Sequence, residues 1–243
     1  MKKFNSNNYK LTEFRCFRNF ERKHTKKGTA GNVEKLSNSL SRSKAKVKEY
    51  ALSNPFELFV TFTLDPKKYD RTDLPKYIKH LSQFIRDFRK KTNCDVKYLF
   101  VPERHQDGCW HIHGFLMGLP LERLREFKLN DYLPIKILER LKSGAKVYTW
   151  QEYEDKFGFA SIEVIKNQEA SSNYILKYIT KDALRSVKEL NAHLYYASQG
   201  LKKAELIKDG ILSSPINNPA FENEYVRVGW FNAPTEALNH FIS

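Results

Sequence analysis

Several features that define large protein classes are missing from this sequence. Its 243 residues include only three cysteines, Cys16, Cys94 and Cys109. An odd number builds no complete disulfide framework, so a reduced, cytoplasmic setting is expected. No apolar run approaches the roughly 18 residues that a membrane span requires. The opening segment MKKFNSNNYKLTEFRC holds no unbroken hydrophobic stretch of signal-peptide length, so neither export nor membrane spanning is expected. Tandem repeats, low-complexity blocks and Pro/Gly-rich linkers are also lacking. There is no GxxxxGK[ST] phosphate loop, which argues against a helicase motor within the chain.

Acidic residues are in deficit as well: 28 Asp+Glu stand against 42 Lys+Arg, a formal charge of +14. The imbalance is local. Residues 1–50 hold 14 Lys/Arg against 4 Asp/Glu, whereas residues 151–200 hold 6 against 7. A segment this basic attracts polyanions through its field and through counterion release at phosphates. Phe4, Tyr9, Phe14, Phe17, Phe20 and Tyr50 are interleaved with the cations, as a base-stacking surface requires. Hydrophobic residues make up 41% of the chain and aromatics 14%, enough for a real core and incompatible with wholesale disorder. Three parts are expected: a basic N-terminal arm at 1–50, a core at 51–185, and a C-terminal extension at 186–243 packing on that core.

Periodicity organises the core. Phe56 to Leu64 (FELFVTFTL) is rich in β-formers, closes on Asp65-Pro66, and is expected as a buried strand. Thr72/Asp73 with Pro75 opens a helix whose apolar positions Leu74, Tyr77, Ile78, Leu81, Phe84, Ile85 and Phe88 form one stripe. Val96 to Val101 and Cys109 to Met117 are expected as strands around a turn at Gln106-Asp107-Gly108. Helical segments follow at Leu121 to Phe127 and Ile135 to Leu141, then strands at Lys146 to Trp150 and Phe157 to Ile165. A helix from Asn167 to about Leu184 comes next, and Tyr225 to Phe231 forms a last strand. This order suggests an α+β fold, an antiparallel sheet with helices on one face.

The densest chemistry lies in PERHQDGCWHIHGF, residues 102–115. Alternate side chains of a strand share a face, so His111 and His113 point the same way and can share one divalent ion. Whether Glu103 joins them depends on the hairpin. A three-residue loop with Gly108 left-handed pairs Glu103 with His111; a two-residue Asp107-Gly108 turn pairs it with Ile112 and turns the carboxylate away. The first register is preferred, because it gathers the polar groups on one face. His105 then stands nearby as an orienting residue rather than a ligand. Cys109, at the turn end, is a poor zinc ligand.

A second constellation is YILKYITKD, residues 174–182. On a helix Tyr174 and Tyr178 are neighbours four residues apart, as are Lys177 and Lys181. Such tyrosines commonly serve only as amphipathic packing. Next to a metal-binding motif, however, they supply nucleophiles whose phenolates are favoured by nearby positive charge. Metal, tyrosine and lysine together suit phosphodiester transesterification.

These segments resemble the HUH-endonuclease initiators of rolling-circle replication, where U is a bulky hydrophobic residue. FVTFTLD at 59–65 resembles their first motif. His111-Ile112-His113 with Glu103 resembles the metal motif, and the doubled Tyr-x-x-Lys resembles the tyrosine motif of the two-tyrosine type found in small single-stranded-DNA phages and plasmids. The resemblance covers residues 56–185. It implies a ferredoxin-like five-stranded antiparallel sheet, with Glu103, His111 and His113 holding Mg²⁺ or Mn²⁺. It further implies Tyr178 as first nucleophile, Tyr174 as second or assisting one, and Lys181 and Lys177 stabilising phosphate or phenolate. The implied partners are single-stranded DNA at a replication origin and a host helicase and polymerase. Single-strand transposases of the same superfamily share the motif order, usually with one tyrosine. Two further alternatives are an origin-binding factor without catalysis and a nuclease that uses water.

Overall fold

The computed structural model describes residues 1–16, 33–183 and 193–242, with the side chains of 33–38 and 180–183 left aside. Phe17 and Phe20 of the basic segment thus lie outside the described residues. The chain divides into two compact units. The larger comprises residues 30–51 and 55–200, the smaller residues 1–29, 52–54 and 201–243.

The larger unit holds a seven-stranded sheet centred on β3 (Leu58–Thr63). On one side of it lie β5 (Trp110–Met117), β4 (Lys97–Arg104) and the edge strand β9 (Tyr196–Ala197). On the other lie β8 (Ala160–Val164), β7 (Tyr148–Trp150) and the edge strand β6 (Leu124–Glu126). All these pairings are antiparallel. The architecture is α+β, as the element order suggested, and β6 and β9 extend it beyond the five strands expected. Leu121 to Phe127, expected to be helical, is a 3-10 turn over Leu121–Arg123 followed by β6. Pairing of Leu124–Glu126 with β7 satisfies backbone groups that a helix of this length would leave exposed.

Alternation in FVTFT divides this sheet into two faces. Leu58, Val60 and Phe62 join Ile112, Leu116, Phe100 and Ile162 in a buried cluster with α2 (Leu74–Thr92). Asp73 caps α2, accepting from the Lys76 amide, and Pro75 sits in its first turn. Leu74, Tyr77, Leu81, Phe84, Ile85 and Phe88 are buried, each contributing about 1.5–3 kcal/mol of transfer free energy. On the opposite face, α5 (Gln168–Ala183) places Tyr174 against Phe59 and Tyr178 against His113. Helices therefore cover both faces rather than one. The physical reason is that Phe59 and Phe115 make the second face apolar as well.

The smaller unit has a five-stranded antiparallel sheet. Its order is β10 (Glu205–Leu206), β1 (Lys2–Asn5), β2 (Asn8–Phe14), β12 (Val226–Phe231) and β11 (Phe221–Glu222). The two N-terminal strands thus pair with strands of the C-terminal segment, chiefly β2 with β12. Tyr9 and Leu11 are buried with Ile216, Ala237 and Phe241, and Phe4 packs on Trp230. The start of the supposed arm is thus sheet core, and two of its aromatic rings are spent on packing. Phe14 remains exposed.

One glycine fixes the spacing of β4 and β5. A Cβ on Gly114 would lie 2.3 Å from the Leu99 carbonyl oxygen and 2.6 Å from Phe100 Cδ1. Gly114→Ala is expected to lower stability by about 1–3 kcal/mol, as overpacking does, measured by urea unfolding. It should also separate Glu103 from the histidines carried on β5.

Candidate active site

The β4–β5 hairpin has the three-residue turn. The His105 amide donates to the Cys109 carbonyl (2.8 Å), the Gly108 amide to the His105 carbonyl (3.0 Å), and Gly108 has φ of 82°. Glu103 therefore faces His111, and Val101 faces His113. On the other side of β5, Thr63 faces His111 and Thr61 faces His113. Directly paired residues share a face, so Glu103, His111 and Thr63 form one row across three strands. Val101, His113 and Thr61 form the next.

This register dictates the hydrogen bonds. Thr61 Oγ1 lies 3.1 Å from His113 Nδ1, and Thr63 Oγ1 lies 3.0 Å from His111 Nδ1. His113 Nε2 is 2.8 Å from Glu103 Oε2, an acceptor, so Nε2 carries the proton and the Thr61 hydroxyl donates to Nδ1. At His111 the partners are reversed. Arg71 Nη2, a donor only, is 3.4 Å from Nε2, so the proton sits on Nδ1 and goes to Thr63. A hydroxyl serves either tautomer because it both donates and accepts. His105 stacks on His111, with ring centroids 3.8 Å apart, and places Nε2 3.5 Å from Glu103 Oε2. It flanks the carboxylate, as an orienting residue would.

Tyr178 completes the cluster from α5. Its ring lies face to face with His113, centroids 3.7 Å apart and planes 9° from parallel. Asn167 opens this helix, its Oδ1 accepting from the Ala170 amide. One helical turn before Tyr178 stands Tyr174, whose hydroxyl accepts from the Tyr178 hydroxyl at 2.8 Å. Tyr178 is 9% exposed and Tyr174 is 45% exposed. Burial, followed by the hydrogen bond to Tyr174, pushes the Tyr178 phenol well above its ordinary range. Lys177 Nζ lies 5.2 Å from the Tyr174 ring centroid, a cation–π contact. The side chain of Lys181 lies outside the described residues. The fold thus brings together Glu103, His111, His113, Tyr178, Tyr174 and Lys177.

Among the described residues, no group of three or more His, Cys, Asp and Glu side chains is drawn together as a metal cage. Glu103, His111 and His113 line one face, but Arg71 stands at His111 Nε2. The donor chemistry nonetheless fits a hard-to-borderline cation. Two imidazoles are held through Nδ1 by threonine hydroxyls, the arrangement that frees Nε2 for an ion. Two adjacent ligands of an octahedral ion with bonds of about 2.1 Å stand about 3.0 Å apart. The Glu103–His113 separation of 2.8 Å is close to that edge.

Thr61, Thr63 and Arg71 were not singled out in the sequence. The threonines did leave a signal: T-x-T on one strand answers H-x-H on its neighbour. Arg71 left none, since only the turn before α2 brings it to β5.

An α+β antiparallel domain with this hairpin and an overlying tyrosine helix defines the class. Residues 57–183, just over half the chain, match the family model for the ORF2 type of replication-associated protein, and the chain belongs to that family. It is a replication-associated protein. No curated protein and no solved structure matches it. Among the described residues, no helix is long and apolar enough to cross a membrane.

Burial, and then the neighbouring His105, His113 and Arg71, lower the His111 pKa from 6.5 to about 4. The unfolded chain takes up this proton near pH 6.5, the folded protein only near pH 4. The His111 contribution to stability is therefore fully present above pH 6.5 and lost as pH falls through that window. Imidazole C–H resonances followed by NMR should place this midpoint near 4, and His111→Gln should flatten stability between pH 6.5 and 4.

Proposed function

We propose that the protein initiates rolling-circle replication of a plasmid or phage, nicking and rejoining single-stranded origin DNA through a 5′-phosphotyrosine intermediate. The observation that carries this reading is the stacking of Tyr178 on His113, which sets a phenol against the His-x-His/Glu face. Glu103, His111 and His113 would hold Mg²⁺ or Mn²⁺. The ion, when bound, supplies positive charge that polarises the scissile phosphate and favours phenolate.

Tyr178 attacks phosphorus. Its oxygen forms the new P–O bond, the bond from phosphorus to the 3′ oxygen breaks, and that oxygen leaves as a 3′-OH once protonated. The Tyr178 proton has a path already drawn, through the Tyr174 hydroxyl, which accepts it while releasing its own to solvent. Burial makes the neutral phenol the resting form, so the nucleophile is unmasked only where compensating charge is present. Lys177 lies beside the tyrosine pair to counter the phosphate charge, and Lys181 follows by one helical turn in sequence. Tyr174, the more exposed phenol, suits the second transfer that reseals the strand. The 3′-OH would prime a host polymerase behind a host helicase.

Incubation with a labelled single-stranded origin oligonucleotide and Mn²⁺, followed by a denaturing gel, should yield a covalent protein–DNA band. Tyr174→Phe/Tyr178→Phe and EDTA should each abolish it. Cleavage that persists in the double variant would mean that water is the nucleophile, and origin binding without any adduct would mean a non-catalytic factor. Thr63→Val, which removes the Nδ1 partner of His111, should reduce Mn²⁺ affinity about 10–100-fold.

A further inference from the structure

Arg71 has no assigned role in this reading, yet two contacts deliver it to the site. The Trp110 amide donates to its carbonyl (2.9 Å), and Trp110 Nε1 donates to the carbonyl of Thr72 (3.1 Å). These two bonds pin the turn before α2 to the start of β5. The guanidinium then reaches His111 and makes one contact there, Nη2 to Nε2 at 3.4 Å. Its Nε is buried and has no hydrogen-bond partner among the described residues.

No carboxylate within ion-pair distance neutralises Arg71 among the described residues. Asp107 acts on it only at longer range. The adjacent Asp70 spends Oδ1 on the amide and hydroxyl of Thr72. A guanidinium offers five donors in a planar fork matched to two phosphate oxygens and stays charged at any working pH. Here that fork is partly desolvated, next to the histidine pair, and nearly all its donor capacity is unspent. An oxyanion is the group whose charge and geometry complete it.

We propose that Arg71 is a phosphate-binding residue, held at His111 Nε2 while the ligand face is free and transferred to a DNA backbone phosphate when that imidazole turns to a metal ion. The proposal rests on the function above for the identity of its ligand but involves no covalent step. It gives Arg71 two opposed effects. The guanidinium favours DNA, and it disfavours a cation at His111 by occupying the lone pair and adding positive charge nearby. A residue that merely braces the turn would support both kinds of binding alike.

Two measurements on the full chain separate these roles. Fluorescence anisotropy of a labelled single-stranded oligonucleotide in EDTA reads DNA affinity across a salt series. Electron paramagnetic resonance of free Mn²⁺ reads metal affinity without DNA. Arg71→Ala should weaken DNA binding about 10-fold and lower the salt slope by about one, the signature of one lost phosphate contact. The same variant should bind Mn²⁺ several-fold more tightly. Arg71→Lys, which keeps the charge but not the fork, should recover part of the DNA affinity. Unchanged DNA affinity and slope in Arg71→Ala would overturn the proposal, as would Mn²⁺ affinity that fails to rise. Because both readouts are non-covalent, a failure of adduct formation leaves them standing, and the two readings fail independently.

Discussion

The register of one hairpin governs this site. With Gly108 in the left-handed region and three residues in the turn, Glu103 faces His111. Shifting the pairing by one residue would move the carboxylate to the α2 face, where Phe62, Phe100 and Ile112 form a dry core. The cost of burying an unpaired carboxylate there holds the register in place, so the core and the site specify each other. Gly114 reinforces this from within, because only a residue lacking Cβ lets β4 lie so close at that point.

From that register the remaining geometry follows with few independent choices. Thr61 and Thr63 reach the two Nδ1 atoms because β3 is paired to β5 with the same parity. The second sheet face is polar at these rows and apolar at Phe59 and Phe115, which form an edge-to-face pair. Helix α5 spans that boundary, Tyr174 on Phe59 and Tyr178 on His113. Burial has an electrostatic result here: it keeps His111 neutral and Tyr178 protonated until something alters the local charge. Such a site is quiescent by construction.

Much of this was legible in the sequence because it rests on short-range periodicity. The α2 stripe, the cap at Asp73, the parity of His111 and His113, and the i,i+4 tyrosines each depend on residues close in the chain. The preferred hairpin register was also the observed one, since gathering polar groups on one face is a strong local criterion. What escaped depends on pairing between distant segments. The strand at Leu124–Glu126 exists only because β7 accepts it. The N-terminal residues look like a basic arm until strands of the C-terminal segment turn them into a sheet. Arg71 enters the site through a turn tied to Trp110, far along the chain, and no spacing encodes that link. The bulk positive charge also proved a poor guide to position, because part of its basic segment is structural.

The account turns on which atom becomes bonded to DNA. Tandem mass spectrometry of the adduct, after nuclease trimming and tryptic digestion, answers this directly. Cleavage after Lys177 sends Tyr174 and Tyr178 to different peptides. The account predicts the nucleotide mass on Tyr178 in the first turnover; an adduct on Tyr174 or outside α5, or cleavage with no adduct, would contradict it.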